Sequence, residues 1–303
     1  MIEKALNNRF FNLYVLSFLL GSLTVLSFAP FNLTIINFIV FPLFFYLINF
    51  INKKSKSVYR KKPYRRNLFI FGTFFGFGFY LSGVHWIINS LTFDENFKIF
   101  IPFGLILIPL FLSLFISLTI TIIGPFLKFN VPSILLFSCS LALSDYIRAK
   151  ILTGFPWNLW AYSFSWAIEF LQVLNHIGLF AFNLITITIF MAPTVFFFKI
   201  SFKKKMSLIS LLSVIIFLVS IYGNFLINKN NEKIELADNK FYVKVISPNL
   251  KLGYNFTNSE MEMRLKKLLR YSNPDKTKKT LFVWPEGVFS GYSYFEILQF
   301  KKF

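Results

Sequence analysis

Ile99-Phe-Ile-Pro-Phe-Gly-Leu-Ile-Leu-Ile-Pro-Leu-Phe-Leu-Ser-Leu-Phe-Ile-Ser-Leu-Thr-Ile-Thr-Ile-Ile-Gly-Pro-Phe126 runs for 28 residues without a charged side chain. As a helix rising 1.5 Å per residue it covers roughly 40 Å, more than the ~30 Å hydrocarbon core of a bilayer. It has no polar stripe, so a half-buried helix of a soluble core does not fit it. The block decides the fold class, because others like it lie on both sides. Seven spans are predicted, at 10–28, 33–51, 67–90, 99–126, 132–149, 173–198 and 207–227. The first is too long for a signal-peptide core. Ser27-Phe28-Ala29 imitates a cleavage site, but Pro30 follows it directly and further spans come after.

The 303-residue chain agrees in bulk: 55% of it is hydrophobic, only 15% charged, and 44 residues are Phe. The formal charge of +19 would suit a nucleic-acid partner. Its placement argues against one, because the cations crowd into short loops beside apolar blocks and no nucleic-acid module accompanies them. Lys53, Lys54, Lys56, Arg60, Lys61, Lys62, Arg65 and Arg66 follow the second span. Lys199, Lys203, Lys204 and Lys205 follow the sixth. Counting spans puts both loops, and Lys128, on one side, with Asp94 and Glu95 on the other. The basic side is the cytoplasmic one, so the N-terminus is expected inside and the chain from residue 228 outside. A single cysteine excludes an intrachain disulfide and a cysteine metal cluster; no cofactor is expected.

Composition changes at Asn228. Residues 1–227 are expected to form the transmembrane helical domain and 228–303 the beginning of an α/β domain. Asn228–Lys240 reads as a polar linker. Phe241-Tyr-Val-Lys-Val-Ile246 alternates and reads as a strand, Asn258–Tyr271 as a helix capped by Ser259, and Thr280-Leu-Phe-Val-Trp284 as a second, buried strand. That β–α–β order implies a parallel pair, too small a sheet to cover both faces, so the domain is expected to be incomplete.

Candidate chemistry is sparse. Glu286 ends the second strand in Val283-Trp-Pro-Glu286, where catalytic groups of α/β domains collect. Apolar cover from Trp284 would bring it toward general-base range, although an ordinary loop carboxylate fits the spacing too. Asp145 and Arg148 share a helix face and either form a structural ion pair or leave Arg148, with Lys150, to hold a lipid phosphate or a protein carboxylate. Gly154-Phe-Pro-Trp157, continuing to Trp160, Tyr162 and Trp166, is either an interfacial anchor or part of a site. His85, His176 and Cys139 read as packing residues. Gly72, Gly76, Gly78 and Gly83 mark a close helix contact.

Taken in order, these pieces resemble bacterial apolipoprotein N-acyltransferase: Leu26-Ser-Phe-Ala-Pro-Phe31, Gly76-Phe-Gly78 with Ser82-Gly-Val-His-Trp86, Asp145-Tyr-Ile-Arg148, Leu152-Thr-Gly-Phe-Pro-Trp157, Ser247-Pro-Asn249 and Val283-Trp-Pro-Glu286. The resemblance implies a membrane bundle followed by a periplasmic nitrilase-like (carbon-nitrogen hydrolase) domain of the bacterial inner membrane. It implies a Glu-Lys-Cys triad that moves an acyl chain from a phospholipid donor to a diacylglyceryl lipoprotein acceptor. Glu286 matches the base, whereas the family's Lys and Cys have no match, so the chain is expected to be a C-terminally truncated or split form, inactive alone, that a separate polypeptide could complete. Arg148 and Trp157 are implied on the substrate side. Tyr254 and Phe256 stand near the place of a family tryptophan that is missing here. Ser290–Phe303 matches no family pattern. Two other readings remain: a non-catalytic remnant or lipid- or lipoprotein-binding protein, and, less well supported, a transporter.

Overall fold

The computed structural model describes residues 10–56, 63–92, 94–151, 154–235, 241–250, 256–275, 277–289, 291–293 and 295–296. The chain divides into two compact units, Met1–Asn228 and Lys229–Phe303.

The first unit is helical. Its helices are α1 (Phe10–Thr24), α2 (Asn37–Lys56), α3 (Pro63–Val84), α4 (Ile101–Ile123), α5 (Val131–Arg148), the single turn α6 (Ile168–Leu171), α7 (Leu174–Phe190) and α8 (Phe202–Glu235), whose last turns run past Asn228. Short 3-10 segments extend several of them, notably His85–Thr92 after α3 and Ala192–Phe197 after α7. Among the described residues, five helices are long and apolar enough to cross a membrane, and a shorter apolar helix covers Leu13–Ser27. α5, with 18 residues, stands at the fifth expected span. The helices differ in how much they are enclosed. Of the apolar window in the helix of α2, 61% is buried, against 6% in α8, so α2 is central and α8 peripheral.

Backbone proximity brings α1, α3 and α4 together. A Cβ at Gly72 would lie 2.8 Å from Ser117 Cα, and one at Gly76 2.8 Å from Ser113 Cα. On the opposite side of α3, a Cβ at Gly78 would strike the Phe18 carbonyl, and one at Gly21 the Phe75 carbonyl. Small residues let helix backbones touch where lipid offers no hydrophobic contrast. Hydroxyls reinforce the seam: Ser17 Oγ donates to Phe71 O (2.7 Å) and Ser117 Oγ to Phe69 O (2.7 Å). Gly72, Gly76 and Gly78 thus have the packing role expected of them, whereas Gly83 abuts the side chain of Asn158 in the loop after α5 rather than a helix backbone.

The many phenylalanines fill the centre. Phe44 stacks on Phe75 at 3.9 Å between centroids, and buried Trp160 receives Phe79 face to face (4.4 Å) and Phe41 edge-on (4.8 Å). Such pairs add about 0.5–1.5 kcal/mol beyond area burial. Gly178, at φ +75°, breaks the first turn of α7, a conformation that Gly adopts at little cost.

The second unit holds β1 (Tyr242–Val245), α9 (Asn258–Ser272) and β2 (Thr280–Val283). The strands pair in parallel, Tyr242 opposite Thr280 and Val245 opposite Val283. α9 is capped by Thr257 rather than by Ser259. Its hydroxyl accepts from Glu260 N–H while Glu260 accepts from Thr257 N–H, a reciprocal pair that Ser259 cannot form from inside the helix. Leu268 of α9 closes on Ile246 and Val288. The second strand, expected to be buried, alternates between half-buried and exposed residues, and β1 is exposed throughout, because two strands and one helix cover only part of a sheet. The expected linker from Asn228 is also different: α8 continues to Glu235. Asn228–Glu235 contains neither Gly nor Pro, so nothing in it stops the hydrogen-bond ladder. Residues 236–240 lie outside those described.

Candidate functional site

The chemistry-bearing side chains lie in two places, one in each unit. In the first unit, α5 delivers Asp145 and Arg148 one turn apart, both buried. Arg148 Nη2 donates to Asp145 Oδ1 at 3.1 Å. Its Nη1 donates to the carbonyls of Phe155 (2.5 Å) and Trp157 (2.8 Å). Asp145 Oδ2 accepts from Asn183 Nδ2 (2.9 Å) on α7, and Asn183 Oδ1 accepts from Ala161 N–H (3.0 Å). The Tyr80 ring of α3 lies 5.4 Å from the guanidinium carbon. Four segments therefore converge on one charge pair.

Of the readings open to Arg148 in the sequence, a structural ion pair with Asp145 or a hold on a lipid phosphate or another carboxylate, the structure shows the ion pair. The guanidinium is 1% exposed, so it stands out of a headgroup's reach. What it does hold is the loop. Gly154 takes φ +78°, a value at which a Cβ would strike the Ala149 carbonyl, and Phe155 N–H returns to Arg148 O (3.2 Å). The segment then folds back across the end of α5 and leaves Trp157 half exposed. Trp157 meets Trp86 edge-on at 5.3 Å, and Trp86 is also exposed, at 42%. Two indoles thus stand together at one end of the bundle, held by carbonyl bonds beneath. Leu152 and Thr153 of the same motif lie outside the described residues.

In the second unit, Glu286 follows β2 by three residues, in an exposed turn. Trp284, expected to cover it, is engaged elsewhere: its indole N–H donates to Ser272 Oγ (3.0 Å) and its ring packs near Phe289. An indole between a strand and its helix covers more apolar surface than one laid over a turn. Phe256 lies under the Arg264 guanidinium, 3.5 Å from its ring centre, in a hollow of ≈ 410 Å³ shared with Asn249 and Met263. Pro285 and Gly287, on either side of Glu286, line a different hollow of ≈ 600 Å³. Tyr254 lies outside the described residues.

Three residues read as packing positions differ. Cys139 is exposed on α5, not packed inside. His85 and His176 are exposed too, with partners: His85 Nδ1 lies 3.0 Å from Ser82 O, and His176 Nε2 lies 3.0 Å from Tyr222 Oη. Asn183 was not singled out in the sequence, although an Asn within an apolar span is a usable signal, since hydrocarbon tolerates it only with a partner. Trp86 lay unused within a quoted motif. Among the described residues no group of acidic, His or Cys side chains is placed to hold a metal ion.

Residues 20–192 match the family model described as apolipoprotein N-acyltransferase N-terminal domain. Among curated proteins, the chain is 32% identical over 219 residues to the apolipoprotein N-acyltransferase of Rickettsia typhi, covering 72% of this chain and 42% of that protein. It is 26% identical over 227 residues to that of Rhodopseudomonas palustris, with the same two shares. To that of Rickettsia prowazekii it is 36% identical over 161 residues, 53% of this chain and 32% of the relative. The matched part spans about two fifths of the length of the first two relatives.

Proposed function

The chain belongs to the apolipoprotein N-acyltransferase family, and from that premise we propose that it takes part in moving an acyl chain from a phospholipid to the N-terminal amine of a diacylglyceryl lipoprotein. The observation that carries the proposal is the family match across the helical unit. The β1–α9–β2 unit adds to it by leaving Glu286 exposed just past a parallel strand. In this reading Lys229–Phe303 begins a nitrilase-like domain on the outer face of the bacterial inner membrane. Phe256, Tyr254 and Trp157 lie on the substrate side, and Arg148 acts there by positioning Trp157.

Glu286 is the general base. It takes the proton of a cysteine thiol, and the thiolate attacks the phospholipid ester. A lysine stabilises the tetrahedral oxyanion, and the lysophospholipid leaves with a proton. The lipoprotein amine then attacks the thioester, which forms the amide and returns the thiol. No residue of 1–303 is assigned to the thiol or to the lysine: the single cysteine, Cys139, is exposed on α5 without a base bonded to it among the described residues. We therefore expect residues 1–303 expressed alone to be inactive.

Complementation tests this in cells depleted of their own lipoprotein N-acyltransferase. Residues 1–303 alone are expected to leave lipoproteins diacylated. Joined to the remaining segment of a relative, they are expected to restore growth, and Glu286→Gln in that fusion lowers the rate by about 10²–10⁴-fold. An undiminished Glu286→Gln fusion defeats the assignment of the base. One observation favours a second reading, lipid or lipoprotein binding without catalysis: the lone thiol, Cys139, is exposed on α5 with no base bonded to it among the described residues. A fusion that binds phospholipid but never restores triacylation supports that reading.

A further inference from the structure

The outward face of α9 carries more positive charge than the fold uses. At about 100° per residue, Met263, Lys266, Lys267 and Arg270 fall within one sector of about 100°. The buried Met261, Leu268 and Ser272 lie opposite it. Tyr271 borders the sector, and with Lys266, Lys267 and Arg270 it lines a hollow of ≈ 550 Å³. Cations near a helix C-terminus ordinarily serve the helix dipole, but that effect fades beyond the last turn, where Arg270 stands. The two acids of the helix are already engaged. Glu262 pairs with Lys266 (2.6 Å), and Glu260 is held in the cap by Thr257. Among the described residues, Lys267 and Arg270 join no ion pair.

The same face also exposes apolar surface: Met263 is 63% exposed and Tyr271 53%. A face turned only to water gains nothing from either. A basic face with an exposed Met and Tyr among its cations suits a membrane surface, where Lys and Arg meet phosphates and apolar side chains enter between headgroups. The headgroup layer is also the polyanion in constant reach. The second unit begins within α8, a helix long and apolar enough to cross a membrane, and tethering raises effective concentration above that of a soluble acidic partner. We propose that the outward face of α9 rests on anionic phospholipid headgroups, with Lys267 and Arg270 on phosphates and Met263 and Tyr271 between them. The contact requires neither Glu286 nor any thiol, so it stands or falls apart from the acyl-transfer reading.

The experiment places residues 1–303, with Cys139→Ser, in nanodiscs that carry a trace of lipid with a nitroxide on its headgroup. A fluorophore is attached through Met263→Cys or, as the control, through Val245→Cys on β1, where the side chain is 74% exposed. In discs containing phosphatidylglycerol, quenching at 263 is expected to exceed that at 245 at least three-fold. In discs of phosphatidylcholine alone it should fall to the control level. Lys267→Gln with Arg270→Gln should lower it at least three-fold, since each cation near the surface contributes roughly five-fold. Glu262→Gln removes the acid paired with Lys266 and should raise it in discs poor in phosphatidylglycerol. Salt raised from about 50 to about 500 mM should lower it. Equal quenching at 263 and 245, or quenching indifferent to phosphatidylglycerol or to the paired Gln variant, overturns the proposal. So does a label at 263 that responds only to added poly-glutamate, which would make the face a site for an acidic protein.

Discussion

Arg148 and Trp157 are joined by a 2.8 Å hydrogen bond from a guanidinium nitrogen to a backbone carbonyl, so the most buried cation of the described bundle holds one of its exposed indoles in place. The bond runs to the main chain, so it fixes where the loop goes whatever side chain follows. Asp145 makes the arrangement affordable by neutralising Arg148, and Asn183 orients Asp145 from α7.

Breaking that pair from one side is therefore costly. Asp145→Ala leaves an enclosed guanidinium uncompensated and is expected to destabilise the bundle by about 3–5 kcal/mol. Arg148→Lys keeps the charge but cannot span Asp145 and two carbonyls at once, and should free the loop. Thermal unfolding in detergent reads the first effect. Trp86–Trp157 fluorescence reads the second, and a loop signal unchanged in Arg148→Lys contradicts the clamp.

The α3–α4 seam gives a steric prediction. Gly76→Val places a Cβ 2.8 Å from Ser113 Cα, and backbone cannot swing aside as a side chain can. A loss of about 1–3 kcal/mol is expected, the usual scale of overpacking. Gly104→Ala is the control, since its nearest neighbour is the end of the Leu91 side chain at 3.3 Å. Monodispersity after heating should fall for the first variant and hold for the second.

Cys139 should carry no acyl thioester. It faces outward from α5, and none of the hydrogen bonds or ion pairs found among the described residues brings a base to it. Incubation with labelled phospholipid is expected to give no hydroxylamine-sensitive label. Label that disappears in Cys139→Ala would reverse the conclusion.

Orientation is testable by fusion. The basic loops at 53–66 and 199–205 are expected in the cytoplasm and the segment from 228 outside. A reporter active only outside the cytoplasm, joined after Asn239, should give signal, and one joined after Lys56 should stay silent. The opposite pattern inverts the topology.

Much of the bundle was legible because hydropathy reports it directly: each expected span has a helix within it. Which face of a helix meets lipid was not legible. In α5 both faces are apolar, so nothing in the sequence separates Cys139, outside, from its buried neighbours Phe137 and Ser138. Asp145 and Arg148 were legible as a pair by their spacing, but not as the clamp on Trp157, because that depends on the positive φ of Gly154. In the second unit the helix and both strands were readable from pattern. Their exposure was not, since Leu281 and Val283 look like interior residues until the number of layers is known.

The network around Asp145 also couples one helix to a later one. Its partners follow in chain order: Arg148 three residues later, the Phe155 and Trp157 carbonyls next, and Asn183 only 38 residues after Asp145. α5 and the loop after it therefore neutralise their own charge pair, and the carboxylate gains its last hydrogen bond only when α7 is laid alongside, so the docking of α7 is stabilised at a group that α5 already carries.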